Sequence, residues 1–192
     1  MKISILLPYK ENFSPEYPGA VSIFLNSVTN LSKYKKKITV YGNTEFKKIF
    51  KINYQNINLK PGSIASQSKI YVNAFIDYER KKPSDLIEIH NRPNYLKYLT
   101  KRLNKRNYTL FFHNDPLSMD GSKSIKDRNF LLKSCYRIFF NSNWSKNRFL
   151  EALDGKYINS EKLKVCFQSA TKGNSENLKR KKKWITFVGK LN

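Results

Sequence analysis

Short apolar runs alternate along this chain with stretches whose apolar positions recur at three and four. The first run, "KISILLP", is rich in β-formers and ends at Pro8, which predicts a buried strand. A polar loop, "YKENFSPEYPG", follows. Then Val21, Phe24, Leu25, Val28 and Leu31 mark an amphipathic helix from Ala20 onward. "KKITVYGN" predicts a second strand, stopped by Gly42 and Asn43. Residues 44 to 62 carry a weaker signal, read as a short helix around "TEFKKIF" and an edge strand near "KINYQ". "SIASQSKIYVNAFIDYERKK" predicts a long helix with Ser63 at its N-cap.

The alternation then becomes regular. Strand "SDLIEIH" leads through Pro93 into helix "RPNYLKYLTKRLNK", and strand "YTLFFH" leads through the loop "NDPLSMDGSKS" into helix "IKDRNFLLKSC". Strand "YRIFFNS", helix "NWSKNRFLEAL" and strand "EKLKVCF" come next. "QSATKGNSENLKRKKK" has no apolar periodicity and reads as a linker, and "WITFVG" closes the chain as a strand entering a glycine turn. Most strands are continuous apolar runs, as expected where helices cover both faces. The fold class is therefore α/β, a doubly wound, mostly parallel Rossmann-like sheet with helices on both faces.

Composition narrows the partners. The 192 residues carry a net charge of +23, from 37 basic and 14 acidic side chains. Such an excess points either to a polyanionic partner or to a bias toward Lys and Asn along the whole chain. Nucleic acid is disfavoured, because no RNA-binding signature and no basic–aromatic interleaving on one element is present. The run "KRKKK" from Lys179 reads as a solvated charge run or as a contact for an anionic membrane surface. No stretch approaches the roughly 20 apolar residues of a membrane span. Cys135 and Cys166 lie among apolar residues without metal-ligand spacing, which predicts buried, reduced thiols and fits a cytoplasmic setting.

Candidate chemistry collects where open parallel sheets bind ligands, outside the carboxyl ends of their strands. The two histidines of the chain, His90 and His113, both stand at such an end, in the matching contexts "HNRP" and "HNDP". If their strands are neighbours, both imidazoles face one edge. Imidazole there suits hydroxyl or phosphate recognition, and a hydrogen-bonded loop role is the plainer alternative. Asn91, Arg92, Asn114 and Asp115 add polar groups. Gly19, just before the first helix, would let the backbone approach a ligand beside a helix N-terminus that favours an anion, or it belongs to an ordinary loop. Asn141 and Ser142 follow another strand; Asn143, or Ser142 one residue earlier, is read as the cap of the next helix, and Ser142 alternatively as a ligand contact. No GxGxxG, HExxH, Walker loop or nucleophile elbow occurs, so no metal and no resident cofactor is expected.

In this order the features resemble the N-terminal half of a GT-B glycosyltransferase of the family 4 type. The resemblance rests on the "KISILLP" strand with its glycine-bearing loop, "DLIEIH", "LFFH", "RIFFNSNWSKNRF" and "WITFVGKL", which is similar to the family's "FVGRL". It implies a Rossmann-like acceptor-side domain over 1–172, a basic interdomain linker over 173–183 and the start of a donor-binding domain over 184–192. It implies a hexosyltransferase-like activity that moves a sugar from a nucleotide-sugar donor to a glycan or lipid-linked acceptor in cell-surface polysaccharide synthesis. The setting would be cytoplasmic or peripheral at the inner face of the membrane. His113 would line the cleft near the transferred sugar, Gly19 would lie near donor phosphates or acceptor, and Gly189 and Lys190 would approach the donor diphosphate. Lys190 stands where the family usually has Arg, which replaces a bidentate fork by a point charge. The loop has Pro18–Gly19 where the family often has paired glycines, "FQSATKGN" lacks the usual domain-closing turn, and no two glutamates stand eight apart. That glutamate pair belongs to the family's second domain, so the chain alone is expected to have little or no transferase activity. A non-catalytic partner subunit and a basic nucleic-acid-binding module are the alternative readings.

Overall fold

Among the described residues, each continuous apolar run becomes a strand, and the strands lie side by side in one sheet. The computed structural model describes residues 1–59, 66–104 and 106–168. The strands are β1 (Ile3–Leu6), β2 (Ile38–Gly42), β3 (Tyr54–Asn56), β4 (Leu86–His90), β5 (Asn107–Phe112), β6 (Arg137–Phe140) and β7 (Leu163–Val165). Their order across the sheet is β3-β2-β1-β4-β5-β6-β7, and every pair of neighbours runs parallel. Helices α1 (Ala20–Leu31), α2 (Gln67–Lys81), α3 (Tyr95–Arg102), α4 (Ile125–Ser134) and α5 (Asn143–Leu150) connect them. This is an α/β Rossmann-like fold.

The two faces are covered unequally. Side chains of α2, α3, α4 and α5 share one buried cluster with Leu6, Ile87, Ile89, Leu110, Phe112 and Ile138. Val21 and Leu25 of α1 pack on the opposite face against Ile5, Leu7, Ile38 and Val40. Each such large apolar side chain, taken fully out of water, stabilises the fold by about 1.5–3 kcal/mol. Among the described residues, no helix other than α1 covers the second face over β4, β5 and β6. Cavities of about 640 and 260 Å³ there both border Glu88 and Phe111.

Local chemistry sets the helix starts. Ser124 caps α4, accepting from the Asp127 N–H at 3.0 Å while its own hydroxyl donates to the Asp127 carboxylate. Ser142 caps α5 in a reciprocal box with Ser145. In the loop before α4, Gly121 has φ +94, and a Cβ there would press on the Asn94 backbone at 2.6 Å. Only glycine meets both demands.

Three expectations differ from the structure. "TEFKKIF" is not a helix: its start is tied to the end of β3 and Phe50 packs edge-on against Phe13. Asn56 Oδ1 accepts from the Thr44 N–H, and Thr44 Oγ1 accepts from the Phe46 N–H. Helix α2 begins at Gln67 with Ser66 at its N-cap, and Ser63 lies outside the described residues. Cys135 is buried and its thiol is pushed up to about 12 by desolvation, whereas Cys166 is only half-buried at the end of β7.

Candidate active site at the carboxyl edge of the sheet

From β1 the chain works outward through β2 and β3, and from β4 it works outward the other way. The boundary between β1 and β4 is the point where open α/β sheets form a ligand crevice. His90 ends β4 at this boundary, and His113 follows β5, the next strand. The two imidazoles do face one edge. They touch, His90 Nδ1 lying 2.8 Å from His113 Nε2 with the rings nearly parallel.

The contact extends in both directions. Glu88, two residues before His90 and on the same face of β4, places Oε1 2.8 Å from His90 Nε2. At the other end the Gln168 side-chain nitrogen lies 2.6 Å from His113 Nδ1. Glu88, His90, His113 and Gln168 thus form one hydrogen-bonded row, running from a fully buried imidazole to an exposed amide.

The His113 backbone is gripped from both neighbouring strand ends. Its N–H donates to Asn91 Oδ1 at 2.8 Å, and its carbonyl accepts from Asn141 Nδ2 at 2.7 Å. Asn91 can reach because it adopts a left-handed backbone, φ +50, which asparagine tolerates better than most residues. The ring of Phe24 from α1 meets His113 edge-on, 5.1 Å between centroids. Phe111 stacks on His90 on one side and on Phe139 on the other. Backbone, ring edge and ring face of His113 are all constrained, which is how a group is held ready for a ligand.

This environment sets the charge of His113. Burial, and then the nearby His90, lower its pKa from 6.5 to about 3. At neutral pH the ring is uncharged and weakly basic, so it is better suited to orient a hydroxyl than to pair with a phosphate or take a full proton.

The remaining candidates divide. Ser142 spends its hydroxyl on the α5 cap. Asp115 accepts from the Leu117 N–H at 3.0 Å and pairs with Arg148 at 3.3 Å. Asn114 is exposed at the rim, one residue beyond His113. Gly19 begins α1 with an ordinary extended backbone, but a Cβ there would overlap the Glu11 carboxylate. That carboxylate accepts from the Ser22 N–H and hydroxyl, both at 3.1 Å, so the chain supplies its own anion to the α1 N-terminus. Gly189 and Lys190 lie outside the described residues, as do the expected linker 173–183 and strand 184–192. Beside Asn91, Arg92, Ser68, Ser118 and Lys123 border a polar cavity of about 380 Å³.

Sequence reasoning missed Glu88, Asn141 as a clamp, and Gln168. The spacing of Glu88 and His90 in "LIEIH" was a usable signal, since i and i+2 in a strand share a face. Gln168 is 55 residues from His113, and no local pattern links them. Among the described residues no group of three or more His, Cys, Asp or Glu side chains converges for a metal ion. No helix among them is long and apolar enough to cross a membrane.

No family model matches the chain, and no curated protein matches it. Two solved structures of Anabaena Alr3699/HepE are similar in fold. One, in complex with UDP and glucose, matches with a TM-score of 0.60 and 18% sequence identity, over 88% of this chain and 45% of that one. The other, in complex with UDP, matches with a TM-score of 0.56 and 19% identity, over 87% and 44%. The chain spans a little under half the length of these structures.

Proposed function

We propose that the chain is the acceptor-side part of a GT-B glycosyltransferase of the family 4 type, an enzyme that moves a hexose from a nucleotide-sugar to a glycan or lipid-linked acceptor. The observation that carries this reading is the likeness over 88% of the chain to a protein whose complexes hold UDP and glucose. The site agrees with it. An uncharged, immobilised imidazole beside the sheet's switch point suits a neutral, hydroxyl-rich ligand. In this reading His113 contacts the transferred sugar or the acceptor. Asn91 and Asn141 hold it in place, and Asn114 faces the ligand at the rim. Gly189 and Lys190 approach the donor diphosphate, where a backbone N–H and a cation would stabilise the leaving group's growing charge. The product belongs to cell-surface polysaccharide synthesis, and the basic surface brings the enzyme to the inner face of the membrane.

The coding frame downstream of Asn192 tests the two-domain form. A continuing frame with a second Rossmann-like half and two glutamates eight apart is expected, and a stop codon there would sink it. The acceptor-side role has its own test on the 192-residue chain. Titrating it with oligosaccharides should shift the His113 ring resonances more than titrating it with UDP does, and the reverse order would assign this edge to the donor instead.

A further inference from the structure

We propose that Glu88 is a positioning residue for His113: acting through His90, it holds both imidazoles in the neutral tautomers that leave the His113 Nδ1 lone pair facing outward. The proposal rests on the glycosyltransferase reading for its functional weight, but its geometry stands apart from that reading.

The carboxylate end of the row fixes the direction of the hydrogen bonds between the neutral rings. An ionised carboxylate only accepts, so His90 Nε2, 2.8 Å from Glu88 Oε1, carries the proton. In a neutral imidazole the other nitrogen is then an acceptor. His90 Nδ1 therefore accepts from His113 Nε2–H across 2.8 Å. His113 Nδ1 is left with its lone pair, and the Gln168 amide nitrogen, which only donates, sits 2.6 Å from it.

The opposite pair of tautomers fails at the inner end, where Glu88 would face a bare ring nitrogen. That contact would turn from attractive to repulsive in a partly buried setting, where such errors cost most. The exposed Gln168 amide can turn either its nitrogen or its oxygen to the ring and follows the assignment made at Glu88. Removing Glu88 removes the constraint.

This has a consequence at the rim. Gln168 is exposed and supplies the donor at Nδ1. A ligand group that takes the place of its amide must also donate a hydrogen bond, as a hydroxyl does. A phosphate oxygen, which has only lone pairs when ionised, would meet the lone pair of the ring. Glu88, half-buried on the far side of His90, thus selects the kind of group accepted at a nitrogen it does not touch.

The test is nitrogen NMR of the 192-residue chain labelled in its histidine rings, at pH 7. The chain has two histidines, so only their ring nitrogens contribute. Both Nε2 atoms should resonate as protonated, pyrrole-type nitrogens and both Nδ1 atoms as pyridine-type. The near-isosteric Glu88→Gln can offer His90 either an oxygen or an N–H, so a second set of signals with protonated Nδ1 should appear on both rings. A protonated His113 Nδ1 in the unaltered chain overturns the proposal, and this arm holds even if the variant fails to fold. A folded Glu88→Gln chain with unchanged tautomers also overturns it. No turnover enters the measurement. A chain that proves not to be a glycosyltransferase leaves the tautomer result standing, and a failed tautomer result leaves the glycosyltransferase reading standing.

Discussion

Two polar clusters sit at opposite ends of the same sheet, and they are built to opposite plans. Near the amino ends of the strands, Glu79 of α2 is fully buried. It accepts from the Ser4 hydroxyl on β1 and from the N–H and hydroxyl of Ser84, at 3.1 and 2.9 Å. All of those donors point inward at one carboxylate, and the cluster closes on itself. At the carboxyl ends, the row starts at half-buried Glu88, passes through fully buried His90 to His113 and finishes at the rim with Gln168. A closed cluster ties a helix to a sheet. An open row carries an orientation set in the interior out to a surface where a ligand can read it.

The contrast breaks most sharply at Glu79. Glu79→Ala leaves the Ser84 N–H and two hydroxyls without their acceptor and opens a void, which should cost about 3 kcal/mol or more of folding stability. Urea denaturation of the chain measures it, and a loss under about 1 kcal/mol would mean the cluster is not a closed tie. The open row should respond to pH instead. His113 has a pKa of about 3 when folded and near 6.5 when unfolded. Between those values the unfolded chain binds more protons, so the stability held by neutral His113 is full above pH 6.5 and is lost as pH falls toward 3. Denaturation midpoints across that window should fall less steeply in His113→Gln than in the unaltered chain. Equal slopes would place the imidazole in a wetter setting than the structure gives it. The smallest effect belongs to the clamps. Asn141→Ala removes one donor to the His113 carbonyl, at a cost of about 1 kcal/mol in the same urea assay, and leaves Glu79 and its partners untouched.

The same contrast explains what could be read from sequence. The strands of the second half were legible because their apolar runs are continuous, and the two histidines stood out because each closes such a run. Their contact depended on β4 and β5 being neighbours, which the regular strand–helix alternation suggested and the parallel pairing bears out. The segment after β2 was misread because Phe46 and Phe50 imitate a helical period, while Asn56 ties Thr44 to the end of β3 and Phe50 packs on Phe13. Of the two readings of Ser142, cap or ligand contact, the structure shows the cap, whose signal is local. Gly19 was read through its freedom near a ligand, and the carboxylate it makes room for, Glu11, lies too far along the loop to be placed from spacing. Asn141 and Gln168, and Glu79 in its contact with Ser4, have partners fixed only by the order of strands and helices, so no short window of sequence contains those pairs.

Everything functional in this account depends on His113 lying at the site of sugar transfer. The direct measurement is turnover of a nucleotide-sugar by the enzyme containing both halves, with and without His113→Ala, alongside urea denaturation of each. The account predicts turnover lower by about 100-fold, the scale expected when a positioning contact is lost, with stability lower by only about 1 kcal/mol. Unchanged turnover in a folded variant would contradict it.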